Sequence, residues 1–215
     1  WDVYVENATG LNDIKLASLT LYENWSSTVN GGSFSDSGSD FGIFAHDSTP
    51  FFTIQGFDEI EKEWLTSSSP PATIPLAAGK DAQFVSSYVG KDRFIVGTAS
   101  HATDILWAYE FIPSTGAIAS TTPSNPAINT MDVNDIDIGW YDNAVAVATD
   151  GGDFVYLYGI DPNGALSGFW NSVASAPTSP PGAECNTVDF DKNANYLAIG
   201  CTTSPYLHVY AITNG

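Results

Sequence analysis

The feature that most constrains this chain is an internal repeat, because a repeat of fixed period predicts one supersecondary unit used several times. Residues 196–212 align without a gap on residues 41–57 and on residues 144–160, and residues 94–111 fit the same frame with a two-residue insertion. The offset of 155 residues between the first and last of these segments divides into three units of about 52 residues each.

Each unit consists of short β-rich runs separated by turns of small and polar residues. In the third unit the most aromatic run covers residues 154–160, and a weaker fourth run follows over residues 166–173. Four short strands in a unit of this length are typical of a β-propeller blade. The sequence therefore predicts an all-β fold: a β-propeller of about four blade repeats, each a four-stranded antiparallel sheet, in a single domain over residues 1–215.

The two ends of the chain do not match a whole number of blades. The aromatic run occurs five times, first within residues 1–7, whereas the pair of runs that precedes it occurs four times. This count predicts a blade split between the termini and one surplus strand. Either a four-bladed ring leaves that strand free, or the chain belongs to a larger ring. A start at Trp1, with neither Met nor a signal peptide, indicates a processed product or part of a longer polypeptide.

Several of these segments resemble a known family. Residues 105–118 and 154–166 resemble the aromatic segment of lactonase-type propellers, a group that includes 6-phosphogluconolactonases and carboxymuconate cyclases. Residues 188–199 resemble the hairpin shared by that group and the broader YVTN and WD-type repeats. The resemblance covers about three of the four units and implies propeller architecture. Members of the lactonase group have seven blades, and no catalytic residue is carried over to this chain.

The charge balance excludes several classes of partner. Acidic residues outnumber basic ones by 25 to 6, which gives a net charge of −19. Because no cluster of Lys or Arg is present to neutralise phosphates, nucleic acid and anionic membrane surfaces are excluded as partners. No apolar run reaches the length of a membrane span. A hydrophobic content of 43% predicts a folded chain.

Two cysteines are placed symmetrically about a predicted hairpin turn. Cys185 and Cys201 each lie eight residues from Asn193, so antiparallel pairing places them opposite each other. This arrangement predicts a disulfide, although two buried thiols are the alternative. A disulfide would indicate an oxidising, extracellular compartment. Asn7 and Asn24 lie in N-glycosylation tripeptides, which favours a secreted or cell-surface glycoprotein.

Carboxylates recur on the first strand of two units. Asp137 and Asp189 occupy equivalent repeat positions, on the strand that lines the central channel of a propeller. A ring of such carboxylates could hold a cation such as Ca²⁺, although neither segment matches an EF-hand loop. The alternative interpretation is that these carboxylates belong to solvated turns and strand edges.

The sequence offers no catalytic residue and no cofactor besides that possible calcium ion. A nucleophile elbow and a phosphate-binding glycine loop are both missing, and Arg93 is the only arginine, which disfavours an anion-binding active site. The six tryptophans and ten tyrosines could stack on glycans or fill the gaps between blades.

The main functional hypothesis is a non-enzymatic extracellular β-propeller that acts in self-assembly, as a surface or filament subunit, or in adhesion. Self-association would use an edge or terminal strand, because a surplus strand can pair with the open edge of a neighbouring subunit. The alternatives are a lactonase or cyclase-type propeller enzyme and a carbohydrate-binding propeller module.

Overall fold

The computed structural model of the chain contains antiparallel sheets that follow one another along the sequence. It describes residues 4–5, 14–15, 29–34, 41–46, 52–58, 63–64, 82–87, 93–98, 106–112, 117–121, 131–139, 144–161, 165–170 and 176–212. Side chains are described for residues 43–45, 93–98, 106–110, 119–121, 131–139, 144–161, 165–170 and 176–212. All statements below refer to these residues.

The strands form a hairpin and four larger sheets, each named here by its place in the chain. The N-terminal hairpin pairs β1 (Tyr4–Val5) with β2 (Ile14–Lys15). The first sheet contains β3 (Val29–Phe34), β4 (Phe41–His46), β5 (Phe52–Asp58) and β6 (Glu63–Trp64). The second sheet contains β7 (Ala82–Ser87), β8 (Arg93–Thr98), β9 (Leu106–Ile112) and β10 (Ala117–Thr121). Within each sheet the strands pair in chain order.

The third and fourth sheets have three described strands each. The third sheet contains β11 (Val133–Gly139), β12 (Ala144–Thr149) and β13 (Val155–Gly159). The fourth sheet contains β14 (Cys185–Phe190), β15 (Tyr196–Cys201) and β16 (Leu207–Ala211). The antiparallel all-β prediction is therefore correct. Among the described residues, the predicted set of four strands is complete in the first and second sheets.

The predicted fourth strand of the third unit, over residues 166–173, is wrong for residues 166–168, and residues 171–173 lie outside the described residues. Leu166–Gly168 form one turn of 3-10 helix, and a single bridge joins Ile160 to Trp170. The backbone N–H of Asp161 donates to the carbonyl of Phe169 at 2.7 Å, and the Phe169 ring is fully buried in the core.

Successive sheets pack against each other through their faces. The first strands of the four sheets (β3, β7, β11 and β14), called the inner strands here, contact one another in that order. The face that a sheet turns towards the next sheet is called its forward face, and the opposite one its rear face. On the forward face of the second sheet, Ile95, Leu106 and Ala108 share one core with Val145 and Val147 on the rear face of the third.

The forward face of the third sheet packs in the same way against the fourth. Ala146, Ala148 and Val155 share a core with Leu197 and Ile199 on the rear face of the fourth sheet. Side chains alternate between the two faces along a strand, so these positions recur at every second residue. Each described interface therefore uses the same repeat positions.

Each inner strand has a bulge at the same repeat position. The register of all four sheets skips one residue there, and that residue always carries a side-chain amide: Asn30, Gln83, Asn134 and Asn186. A bulge leaves the extra residue unpaired within its own sheet and redirects its side chain.

Ala194 occupies a backbone conformation that alanine rarely adopts. It ends the turn between β14 and β15 with a φ of 53°, and its N–H donates to the carbonyl of Asp191 at 2.8 Å. Its side chain is fully buried. A Cβ on Gly139 would lie 3.1 Å from the Ala194 Cβ, so the methyl group fills the space beneath that glycine. Packing between the third and fourth sheets thus offsets a conformational cost.

Gly97 lies where the second and third sheets approach each other closely. A Cβ at this position would lie 2.8 Å from Ile136 Cδ1 and 2.9 Å from Val133 Cβ. We therefore expect Gly97→Ala to lower the free energy of unfolding by about 1–3 kcal/mol, because the neighbouring sheet would have to shift. Chemical denaturation would measure the change. Gly182→Ala is the matched control, since no atom lies within 4 Å of a Cβ there; equal losses in both variants would contradict the packing argument.

Candidate functional site

The carboxylates of β11 bond to the next inner strand. Asp135 Oδ2 accepts hydrogen bonds from the Thr187 hydroxyl at 2.8 Å and from the Val188 backbone N–H at 3.0 Å. Asp137 Oδ2 accepts from the Phe190 backbone N–H at 2.7 Å. The alternating spacing of the two aspartates lets both reach β14. Their observed role is to satisfy donors on the neighbouring strand.

Asn134, at the bulge of β11, is a hydrogen-bond donor to the next inner strand, whereas the two aspartates are acceptors. The Asn134 side-chain amide donates from Nδ2 to the carbonyl oxygen of Cys185 at 2.9 Å. One inner strand thus presents an amide donor and two carboxylate acceptors to the next. Directional bonds of this kind fix how two sheets are aligned, whereas apolar contacts alone tolerate sliding.

Asp137 lies in an environment that disfavours its charge. Burial raises the pKa of Asp137 above its ordinary value of 3.8, and the nearby carboxylates of Asp189 and Asp135 raise it further. The hydrogen bond from Phe190 opposes this rise, because an N–H donor stabilises the ionised form. Asp137 and Asp189 lie on the neighbouring inner strands β11 and β14, close enough for the charge of Asp189 to raise the pKa of Asp137.

The predicted cation site at Asp137 and Asp189 has no further ligands in the described part of the chain. Within it, no group of three or more His, Cys, Asp or Glu side chains is arranged to hold a metal ion. Asp191, in the same acidic segment, accepts hydrogen bonds from the backbone N–H groups of Tyr196 at 2.7 Å and Asn193 at 3.3 Å, and so stabilises a turn. The calcium hypothesis stays a prediction.

Cys185 and Cys201 form the predicted disulfide. They are direct partners in the register of β14 and β15, and the bridge closes a separation of 16 residues. It therefore ties the inner strand of the fourth sheet to its neighbour. The equivalent pair in the third sheet is Val133 and Thr149. Of these two sheets, the fourth therefore carries the covalent link.

Arg93 is held in a structural ion pair. Its Nε and Nη2 atoms donate to Glu110 Oε2 at 3.1 and 2.9 Å, and its guanidinium lies 5.8 Å from the centre of the Phe169 ring. The Arg93 side chain is 4% exposed. The chain's only arginine therefore joins the second sheet to the segment after the third.

Two tryptophans have described aromatic contacts. Trp107 stacks on Tyr109 at 6.2 Å between ring centres, and Trp170 meets Tyr158 edge-on at 5.5 Å. The Trp170 indole also donates to the carbonyl of Thr121 at 3.5 Å. These rings fill space in and between sheets. The proposed glycosylation sites, Asn7 and Asn24, lie outside the described residues.

A cluster of exposed apolar side chains lies at the fourth sheet. Among the side chains that are described, the large apolar ones that are exposed are Tyr196 (54%), Tyr206 (67%), Leu207 (63%) and Val209 (61%). All four belong to β15, to β16 or to the turn that joins them. β16 is also an edge strand, because within the described residues it pairs with β15 alone. Sequence reasoning located these strands but missed this surface.

Comparison with known proteins places the fold among β-propellers. A proposed 6-phosphogluconolactonase from Bacteroides uniformis matches with a TM-score of 0.64 and 11% identity, over 99% of this chain and 60% of that one. A second, from Bacteroides fragilis, matches with a TM-score of 0.64 and 12% identity, over 98% and 60%. The Cps50 (Swd1) β-propeller domain of Myceliophteria thermophila matches with a TM-score of 0.58 and 12% identity, over 94% and 59%.

These likenesses support the predicted resemblance at the level of fold. The chain spans about 60% of the length of the propellers it matches. No family model and no curated protein matches the sequence. None of the described residues form a helix with the length and apolar character that crossing a bilayer requires.

We expect Asp137→Asn to stabilise the protein relative to the native chain at neutral pH, because the amide oxygen can still accept the Phe190 N–H without a buried charge. The raised pKa means that the folded state binds this proton more tightly than the unfolded chain does. The native carboxyl therefore gains stability as pH falls through its raised pKa, and the gain levels off below 3.8. The advantage of the asparagine variant should shrink over that range.

Chemical denaturation at several pH values would measure this difference. Asp137→Ala is the control, since it removes the acceptor and should cost about 1–3 kcal/mol for a donor left without a partner. Equal stabilities of the two variants at neutral pH would show that the hydrogen bond to Phe190 does not matter.

Removing the disulfide should lower stability by about 3 kcal/mol, the value for a loop of this size. The variant Cys185→Val/Cys201→Thr tests this, because it reproduces the Val133 and Thr149 pair of the third sheet. Thermal melting would be compared with and without a reductant. We expect the reductant to lower the melting temperature of the native chain and to leave the variant unchanged; a native chain that is insensitive to reduction would contradict the prediction.

Proposed function

We propose that this chain is a non-enzymatic extracellular β-propeller protein that functions by self-association, as a surface or filament subunit. The observation that carries the proposal is β16, which pairs with β15 alone in the described part of the chain and whose Leu207 and Val209 side chains are exposed. An edge strand presents unpaired N–H and C=O groups, and an exposed apolar edge is a site of association with another chain. In the first and second sheets a fourth strand covers the corresponding edge.

The number of blades and the split blade are part of the same proposal. We infer that the four described sheets are four blades of the repeat, and that the N-terminal hairpin is the outer half of a further, split blade. Its strand within residues 1–7 is the surplus strand of the sequence count. Pairing of that strand with the open edge of β16 in another copy would give head-to-tail contact, which propagates unless the rotation closes a ring.

The extracellular location rests on the Cys185–Cys201 disulfide, which is typical of oxidising compartments. Adhesion to glycans through the exposed Tyr196 and Tyr206 is a second activity compatible with this surface. The lactonase or cyclase alternative draws its support from fold likeness, which by itself does not transfer an activity. The pairing of Arg93 with Glu110 disfavours an anion-binding active site built on that arginine.

The proposal predicts that the protein associates as its concentration rises and that deletion of residues 1–7 weakens this association. Sedimentation velocity over a hundredfold range of concentration would measure both effects. Tyr4→Pro and Tyr4→Thr form a matched pair, because proline removes a backbone donor from β1 whereas threonine keeps it. A chain that stays monomeric at every concentration would refute self-association. Association that is unchanged by the deletion would refute the pairing of the terminal strand.

A further inference from the structure

The exposed apolar residues of the fourth sheet stand at positions that are contact positions in the third. In the repeat alignment Tyr196, Tyr206, Leu207 and Val209 correspond to Ala144, Phe154, Val155 and Leu157. Those four residues of the third sheet all belong to its core with the fourth sheet or pack against it. Val155 is completely buried, whereas its counterpart Leu207 is 63% exposed. The difference is that a following sheet covers the third sheet.

The second sheet shows the same relation. Its Leu106 and Ala108 are the counterparts of Leu207 and Val209, and both are buried under the third sheet. The forward faces of the second and third sheets are both covered, and in each case the covering element is the next sheet of the repeat. The apolar side chains of Leu207 and Val209 are therefore suited to contact with another sheet of the same repeat.

The polar groups that align one sheet on the next are also present. Asn186 and Asp189 are the counterparts of Asn134 and Asp137 in the register of the inner strands. Asn134 and Asp137 bond to the backbone of β14, whereas Asn186 and Asp189 are exposed. The fourth sheet thus carries both the apolar and the directional parts of the interface that lies between the third and fourth sheets.

The opposite end of the stack has a matching feature. Phe44 lies on the rear face of the first sheet and is only partly buried, whereas its counterparts Val96, Val147 and Ile199 are completely buried. Its neighbours Ile43 and Ala45, on the forward face, are also completely buried. Among the described side chains, the forward face is exposed at the fourth sheet, and the rear face is only partly covered at Phe44 of the first sheet.

We propose that the forward face of the fourth sheet docks on the rear face of the first sheet of a second copy of this chain. The inference rests on the proposed self-association and specifies the surface that it uses. By repeat equivalence, the Asn186 amide donates to the carbonyl of Val29 of the second copy, and the Asp189 carboxylate accepts the backbone N–H of Phe34 of the second copy. The contact repeats the interface between the third and fourth sheets.

The net negative charge makes the proposed association depend on the salt concentration. Each copy carries −19, so two copies repel each other over a distance that shrinks as salt is added. The docked surface is mainly apolar, and salt does not weaken apolar contact. Association should therefore strengthen between low and high ionic strength.

The first test replaces Leu207 and Val209 with threonine in one variant. Threonine keeps the preference for β-structure and leaves backbone edge pairing intact, but it removes apolar surface from the forward face. We expect the dissociation constant from sedimentation velocity to rise more than tenfold. His208→Thr is the matched control on the same strand, because His208 lies on the rear face and stacks on Tyr210. The control should associate like the native chain.

A second test uses the two ends of the stack separately. Phe44→Thr alters the rear face of the first sheet and leaves the fourth sheet unchanged. Mixed with Leu207→Thr/Val209→Thr, it should form a heterodimer that does not grow, since each partner retains one intact face. The third test compares Asp189→Ala, which should weaken association, with Asp189→Asn, which keeps an acceptor oxygen and should preserve it. Thermal melting would show that each variant is folded.

The outcomes separate the two proposals. Native association that persists unchanged in folded Leu207→Thr/Val209→Thr overturns the docking surface and leaves self-association through the terminal strand. A native chain that is monomeric at high salt and high concentration overturns both. Glycan binding that is lost in the double variant, by a chain that does not associate, would identify a different occupant of this face and also overturn the proposal.

Discussion

The structure depends on one recurrent contact, the packing of the forward face of a sheet on the rear face of the next. Alternating side chains supply the apolar part of this contact, and small residues such as Gly97 and Gly139 let the sheets approach closely. The inner strands add directional bonds, such as that from Phe190 N–H to Asp137. Apolar burial supplies most of the free energy in such an interface. The directional bonds satisfy backbone donors that would otherwise be buried without partners.

This division of roles explains how much of the fold could be predicted from the sequence. Alternation and turn residues repeat within each unit, so the aligned segments predicted the strands at 94–98, 144–149 and 196–201. The symmetrical placement of Cys185 and Cys201 about the turn predicted their pairing, because hairpin register follows from the position of the turn. These are local inferences, and they are the ones that the structure supports.

The relations between sheets could not be predicted in the same way. The hydrogen bonds that Thr187 donates to Asp135 and Phe190 donates to Asp137 span 52 and 53 residues, about one repeat. A local sequence pattern cannot distinguish such acceptors from metal ligands or solvated groups. The sequence contains one signal of these contacts between sheets, because a side-chain amide recurs at the bulge of every inner strand. The 3-10 turn at Leu166–Gly168 had no such signal, and the burial of Phe169 depends on packing across sheets.

The position of the disulfide has a consequence for the dynamics of the stack. In a repeat architecture, stability is approximately the sum of the repeat units and of the interfaces between nearest neighbours. The fourth sheet, like the first, has a described interface with another sheet on one face alone, so both are more prone to local opening than the sheets between them. The link between Cys185 and Cys201 reduces the conformational freedom that the first two strands of the fourth sheet would gain on opening. A covalent bond thus limits fraying at the end of the stack while the forward face stays available.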